Sequence, residues 1–283
     1  VVAEPAPAQR ADHKLRRSGH APVSGGVLFI PPSFQSSDGA FDVVMHFHGN
    51  TELVEESMEA AKVNALVYIV NLGIGSGAYE DRWSMPGLFD EALDRIRAAV
   101  EKRGLREPRL RRVALSSWSA GYGAVSKILE VKKNFERIDA LMLLDGLHAS
   151  FVDEKNRTGA DPAKLGPFIR FAKAAAEGKV LFTVTHSEIK TLEYASTRET
   201  ADVLLRAVGA SRSPSSEAPP KVTLPSTVGV VPKDSQQWLA PTTEARLGGL
   251  HVRGFTGQTP EHHMAHLIQM SVTVLPELAE RWQ

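Results

Sequence analysis

The chain of 283 residues is long enough to bury one large core or two smaller ones. It carries 33 Lys+Arg and 33 Asp+Glu, a formal net charge of +0, and its 42% hydrophobic and 23% charged residues exclude a disordered acidic or basic protein. The sequence contains 0 cysteines, which excludes disulfides, thiolate nucleophiles and cysteine-ligated metals. A catalytic nucleophile would therefore have to be an oxygen or a nitrogen atom.

Composition also limits the partners. A nucleic-acid-binding protein normally shows a basic excess or a basic stripe, whereas the richest basic cluster here, residues 103–112, has the pattern of a helix exit and loop. The sequence therefore predicts no nucleic-acid partner. No apolar run approaches the roughly 18 residues of a membrane span.

The Ala/Pro-rich residues 1–10 resemble the segment after a removed export signal, so an exported and a cytoplasmic location are both compatible with the sequence. The oligomeric state is left open.

Short apolar runs alternate with segments of helical periodicity, which favours a mostly parallel sheet flanked by helices. The strand-sized runs are, in chain order, residues 27–30, 42–47, 65–71, 112–117, 138–144, 180–185 and 250–255. Helical patterns occupy residues 86–103, 120–131 and 196–208, and a closing helix contains Met264, Leu267, Ile268 and Leu275 and is interrupted at Pro276.

This alternation predicts one α/β domain over residues 25–283, preceded by a flexible N-terminal segment, residues 1–24. The alternation of strand-sized runs and helical segments is lost between about residues 187 and 249. This region contains a Ser/Pro-rich loop and, at residues 222–231, a stretch with neither a clear strand pattern nor a clear helix pattern. We interpret residues 187–249 as an insertion before the last strand.

Residues 117–121, Ser-Trp-Ser-Ala-Gly, lie where a predicted strand turns into a predicted helix. A sharp turn of this kind brings two backbones together and requires small residues two positions before and after its apex, here Ser117 and Gly121. Ser119 occupies the apex, where the following helix N-terminus offers free N–H groups to a negatively charged oxygen. The alternatives are that Ser119 is an ordinary helix N-cap and that Trp118 is a core residue.

This segment resembles the G-x-S-x-G nucleophile elbow of the α/β-hydrolase superfamily, with serine in place of the first glycine. The resemblance implies an α/β-hydrolase-like domain in which Ser119 is the nucleophile of a serine hydrolase. It also implies an oxyanion hole made of two backbone N–H groups, the first of which would belong to Ala120.

The second oxyanion donor would come from the loop after an earlier strand. Residues 46–50, His-Phe-His-Gly-Asn, resemble the His-Gly oxyanion loop of the superfamily and would supply the N–H group of Asn50 or Gly49, beside His48. A simple Gly-Asn turn and a hydrogen-bonded core histidine are the alternatives.

In the same superfamily the general base follows the last strand, where residues 261–266 read Glu-His-His-Met-Ala-His. His266 falls inside the closing helix, where a buried structural histidine is the commoner outcome. His262 and His263 lie at the junction of loop and helix, and we choose His263, with His262 as the alternative.

The acid that orients the base would follow a strand, and two residues qualify. Glu188 comes after the later strand, the usual position in the superfamily, whereas Asp145 directly follows the run 138–144. We choose Asp145, although Asp145-Gly146 is also a strong turn signal.

The sequence therefore predicts a serine hydrolase that cleaves a carboxylic ester or amide of a small molecule or peptide through an acyl-enzyme, with no cofactor and no metal. One alternative is a zinc hydrolase with ligands among His46, His48, His262, His263 and His266. Another is a non-catalytic binding protein on the same fold. The glycines at 73, 75 and 77 do not have dinucleotide-binding spacing and are interpreted as a pocket wall.

Overall fold

The computed structural model describes residues 9–23, 25–228 and 239–283. Its main sheet has ten strands in the described residues, in the order β1-β2-β4-β3-β5-β6-β9-β12-β11-β10, and β7 and β8 form a separate hairpin. The strands are β1 Ala21–Val23, β2 Gly26–Phe29, β3 Ala40–Phe47, β4 Leu66–Val70, β5 Arg109–Trp118, β6 Ile138–Leu144, β7 Phe151–Asp153, β8 Thr158–Ala160, β9 Leu181–His186, β10 Ser213–Pro214, β11 Pro241–Leu247 and β12 Leu250–Phe255.

The helices cover both faces of this sheet. They are α1 Thr51–Ala60, α2 Ser76–Trp83, α3 Leu88–Lys102, α4 Tyr122–Glu130, α5 Lys132–Phe135, α6 Gly166–Ala176, α7 Thr197–Val208, α8 Pro260–Ile268, α9 Met270–Thr273 and α10 Leu275–Arg281, with short 3-10 turns at Ser119–Gly121, Pro162–Leu165 and Pro225–Thr227. Among the described helices, none is both long and apolar enough to cross a membrane.

Six central strands, β4, β3, β5, β6, β9 and β12, run parallel, and antiparallel strands flank them on both sides. One core lies between the sheet and α3, α4, α6 and α7, and another lies under α1, α8 and α10. The strands buried on both faces read as continuous apolar runs because helices cover each side. The predicted mostly parallel sheet flanked by helices is confirmed.

Most predicted elements are present, with boundaries shifted by a few residues. The closing helix differs, because it is divided at Gln269 and Val274 into α8, α9 and α10. Pro276 was expected to interrupt it but instead lies in the first turn of α10. A proline is tolerated there because the first N–H groups of a helix have no intrahelical acceptor.

The expected flexibility of residues 1–24 is not what the described part of that segment shows. Ala11 and Leu15 are buried against the core, and β1 pairs with β2. The buried Asp12 carboxylate also forms an ion pair with Arg17. Part of residues 9–23 therefore packs and pairs with the rest of the fold, which local composition does not reveal, and residues 1–8 and 24 lie outside the described residues.

The region interpreted as an insertion, residues 187–249, adds to the same sheet where it is described. It contributes α7 and the antiparallel strands β10 and β11, and β11 pairs with β12. The expected stretch without register, residues 222–231, is described only to residue 228, where it includes the turn Pro225–Thr227.

Candidate active site

Three neighbouring strands end at the same edge of the sheet, because Phe47 of β3 pairs with Ser117 of β5 and Trp118 of β5 pairs with Leu144 of β6. The next residue after each strand has a positive φ: 69° at His48, 50° at Ser119 and 43° at Asp145. Residues other than glycine rarely adopt this conformation, which costs about 1–3 kcal/mol and is concentrated at functional sites. The fold therefore holds three sharp turns side by side.

Two glycines allow these turns to pack. A Cβ atom at Gly121 would lie 2.0 Å from the carbonyl oxygen of Phe47, and one at Gly146 would lie 2.4 Å from the backbone nitrogen of Ser119. Neither backbone could stay in place with a larger side chain, since real Cβ contacts are longer than 3.0 Å. Gly121 thus meets the close-approach requirement that its place in the motif predicts.

His263, the fourth residue of α8, contacts Asp145 directly. The distance from His263 Nδ1 to Asp145 Oδ2 is 2.7 Å, and the other carboxylate oxygen, Oδ1, accepts a hydrogen bond of 2.8 Å from the N–H group of Ser187. Asp145 is 4% exposed, whereas the His263 side chain is 25% exposed. This pairing leaves Nε2 as the remaining ring nitrogen of His263.

Burial by itself would raise the pKa of Asp145. The neighbouring imidazoles of His266 and His263, the His263 hydrogen bond and the Ser187 N–H group outweigh burial and hold the pKa of Asp145 well below its ordinary value. Asp145 is therefore a buried carboxylate that stays ionised, which is the form that accepts the hydrogen bond from His263.

Trp118 fixes the position of His263. Its Nε1–H group donates to the backbone carbonyl of His263 at 3.0 Å, and the two rings lie 4.7 Å apart. On its other side, His48 stacks on the indole at 5.2 Å and 7°. Trp118 is 9% exposed and does not line the cavity described next, so its contacts are with the two histidine rings and not with that cavity.

Ser119, Asp145 and His263 line one cavity of about 270 Å³. A second cavity of about 890 Å³ adjoins it, because Ser119, His148 and Tyr194 line both. The Ser119 hydroxyl forms no hydrogen bond within the described residues.

His148 is a cavity residue that the sequence interpretation missed. Its Nδ1 lies 3.3 Å from the carbonyl oxygen of Ala195, and its ring contacts Tyr122 and Tyr194 at 5.5 and 4.6 Å. Burial lowers the pKa of His148 to about 4, which keeps the ring neutral at pH 7. The available signal was its place in the loop after β6, three residues beyond Asp145.

The residues expected to form the oxyanion hole are not all brought together. Ala120 lines the larger cavity beside Ser119. Gly49 lies at the end of β3 and already donates its N–H group to Asn71 Oδ1 at 3.0 Å. Asn50 is the N-cap of α1 and accepts from the Leu53 N–H group. Neither Gly49, Asn50 nor His48 lines the two cavities.

Glu188 and His262, the alternative acid and base, line neither of the two cavities that meet at Ser119. Glu188 is 3.7 Å from Arg198 Nη1 and lines a different cavity. His262 Nδ1 lies 2.9 Å from Thr259 Oγ1. His266 is fully buried, with Nδ1 at 2.8 Å from Thr185 Oγ1, in agreement with a structural histidine.

The five histidines of the zinc alternative do not form a ligand cluster. His46 is buried, with Nδ1 at 2.9 Å from Ser116 Oγ and Nε2 at 2.9 Å from the carbonyl oxygen of His48. Within residues 9–23, 25–228 and 239–283, one group of at least three His, Asp or Glu ligand atoms lies within 4.8 Å, and it contains none of these histidines. The glycine-rich loop contributes Ile74 and Gly75 to the larger cavity, as a pocket wall would.

No family model matches the sequence, and no curated protein matches it. Among solved structures, the chain is similar to a glucuronoyl esterase from Solibacter usitatus, with a TM-score of 0.38 and 10% identity over 87% of this chain and 76% of that one. It is also similar to a histone deacetylase from Saccharomyces cerevisiae, with a TM-score of 0.30 and 9% identity over 59% of this chain and 70% of that one. Neither likeness assigns an activity to this chain.

Proposed function

We propose that the protein is a serine hydrolase in which Ser119 is the nucleophile, His263 the general base and Asp145 the acid that orients His263. The observation that carries this proposal is the 2.7 Å contact between His263 and the buried Asp145, on the wall of the cavity that Ser119 also lines. A base held by a buried carboxylate beside a hydroxyl on a strained turn is the arrangement that activates serine.

In the proposed reaction, Ser119 Oγ attacks the substrate carbonyl carbon while His263 Nε2 takes the hydroxyl proton. Asp145 holds the proton on Nδ1, so Nε2 is the nitrogen with the free electron pair, and the carboxylate stabilises the imidazolium that forms. His263 then protonates the leaving group, and a water molecule activated by the same nitrogen hydrolyses the acyl-enzyme.

Negative charge on the carbonyl oxygen needs N–H donors. The Ala120 N–H group belongs to the first turn after Ser119 and lies at the larger cavity, so it is the first proposed donor. Of the two residues expected to supply the second donor, Gly49 gives its N–H group to Asn71 and Asn50 lines neither cavity, so Ala120 is the one donor that we propose.

The substrate that we propose is a carboxylic ester or amide of a small molecule or peptide. Cavities of about 270 and 890 Å³ meet at Ser119, which gives room for an acyl group on one side and a leaving group on the other.

A fluorophosphonate probe tests the nucleophile. The folded protein should become labelled at Ser119, as located by peptide mapping, and Ser119→Ala should lose labelling and about 10⁴-fold or more of kcat on ester substrates. Ser126→Ala, which also lines the larger cavity, is the control and should be labelled like the wild type. Labelling of a folded Ser119→Ala protein would contradict the proposal.

A further inference from the structure

A second cluster of chemically active side chains lies outside the proposed catalytic site. Glu217, Glu244 and His251 each place one ligand atom within 4.8 Å of the others. Glu244 is on β11, His251 on β12, and Glu217 follows β10. His251 is near the amino end of β12, about 13 Å of strand from the carboxyl end that leads toward His263. The cluster and the Ser119 cavity therefore belong to opposite edges of the sheet.

The ring of His251 is buried and has one nitrogen without a partner. The residue is 1% exposed, its Nδ1 lies 2.9 Å from Glu277 Oε1, and its Nε2 forms no hydrogen bond. Arg246 Nη2 also lies 2.8 Å from Nδ1, so that nitrogen either donates to Glu277 or accepts from Arg246. In either tautomer Nε2 has no hydrogen-bond partner, which is unfavourable for a buried polar atom.

The carboxylates that face this nitrogen feel the positive charge of Arg253 but form no close ion pair with it. Glu244 Oε2 is 4.0 Å from His251 Nε2, too far for a hydrogen bond. The nearby guanidinium groups of Arg246 and Arg253 pair with Glu277 instead. In the part of the chain that the structure describes, no lysine or arginine forms an ion pair with Glu217 or Glu244.

We infer that Glu217, Glu244 and His251 Nε2 bind a divalent transition-metal ion, with Zn²⁺ as the best fit. Zinc binds imidazole and carboxylate at about 2.0–2.2 Å, so two ligand atoms on one tetrahedral ion lie about 3.4 Å apart. The Nε2–Oε2 distance of 4.0 Å would have to shorten by about 0.6 Å on binding, which a small rotation of the one-third-exposed Glu244 side chain supplies, and the exposed Glu217 has the freedom to move inward. Mg²⁺ and Ca²⁺ prefer oxygen ligands alone.

Glu277 would orient the metal-binding histidine, His251. A metal-binding histidine usually donates its other N–H group to a carboxylate, which fixes the tautomer and makes the free nitrogen a better ligand. Glu277 occupies that place at Nδ1. With three protein ligands, the fourth position of a tetrahedral ion would be filled by water.

The site would stabilise the edge of the sheet. It joins the segment after β10 to β11 and β12, and through Glu277 to α10. An ion that binds the folded chain and not the unfolded chain raises the melting temperature. The site is independent of the Ser119 chemistry.

Calorimetric titration of the full, chelator-treated chain with ZnCl₂ tests this inference. One Zn²⁺ should bind per chain and raise the melting temperature, and MgCl₂ and CaCl₂ at equal concentration should do neither. Glu217→Gln and Glu244→Gln should each weaken Zn²⁺ binding at least about 10-fold. Glu280→Gln, an exposed glutamate on α10, is the control and should bind like the wild type.

Absence of a stoichiometric Zn²⁺ site in the wild type would overturn the inference. Equal Zn²⁺ binding by the wild type and both glutamate variants would overturn it too, because the ion would then be held by other histidines. Since these glutamates are on the surface side of the cluster, their variants should fold even if substitution of the buried His251 does not.

Discussion

Asp145 keeps a charge in the interior because each of its oxygens has a hydrogen-bond partner, His263 at Oδ2 and the Ser187 N–H group at Oδ1. A buried carboxylate without such partners would become neutral. Glu188, by contrast, is one-third exposed and lies near Arg198. The two acids between which the sequence offered a choice therefore have different electrostatic surroundings.

We expect Asp145→Asn to lower kcat by up to about 10⁴-fold, because a carboxamide neither fixes the reactive tautomer of His263 nor stabilises its protonated form. Glu188→Gln is the matched control and should change kcat less than about 3-fold, since an exposed ion pair contributes little. Steady-state kinetics with an ester substrate, together with circular dichroism spectra of both variants, makes the comparison. A greater loss of kcat in Glu188→Gln than in Asp145→Asn would identify Glu188 as the acid that orients the base.

At the scale of elements, the turn from β5 into α4 depends on a close backbone contact. Gly121 has a φ of −61°, which any residue can adopt, so its requirement for glycine comes from the carbonyl oxygen of Phe47 and not from its backbone angles. Gly77 in α2 differs, because a Cβ atom added there would have no other atom within 4 Å.

Gly121→Ala should lower the free energy of unfolding by about 3 kcal/mol, because the methyl group overlaps a backbone atom that cannot rotate away. Gly77→Ala should leave the free energy unchanged or raise it by up to about 1 kcal/mol, since alanine favours the helix and finds space. Urea denaturation of both variants measures the difference. Equal stability would mean that β3 and the turn are farther apart than the structure has them.

For the molecule as a whole, four histidines with lowered pKa make stability depend on pH. Burial is the main cause that lowers the pKa of His46, His148, His186 and His266 to about 4 each. In the unfolded chain their pKa returns to about 6.5. Between these values the unfolded chain binds more protons than the folded one, so stability falls as the pH falls.

We therefore expect stability to be constant above about pH 7 and to decline from pH 6.5 to pH 4, by up to about 1.4 kcal/mol per pH unit for each histidine. Asp145, whose pKa is lowered in the folded chain, adds a further loss only below about pH 4. Urea midpoints at pH 7.5, 6.5, 5.5 and 4.5 measure the slope, and His266→Asn should reduce it. A flat profile would show that these rings are not neutral in the folded chain.

Much of the fold could be predicted because the signals for it are local. The strands that end at the site are short apolar runs between turn residues, and their helices repeat apolar residues with helical period, as Phe89, Leu93, Ile96 and Val100 do on α3. The strand–turn–helix context of Ser119 is likewise readable within a few residues. The burial of Ala11 and Leu15 and the antiparallel pairing of β11 cannot be predicted in this way, since both depend on partners distant in the chain.

The residue types at the strand ends follow from the amino-acid order alone: a serine on a sharp turn, an aspartate after β6 and histidines after β12. Which of these residues meet depends on the folded chain. His263 contacts Asp145 across 118 positions of chain, His148 enters the cavity with Ser119, and Asn71 occupies the Gly49 N–H group. The physical reason is that periodicity and turn chemistry are properties of neighbouring residues, whereas hydrogen bonds between loops depend on strand order and packing, which bring together residues far apart in the chain.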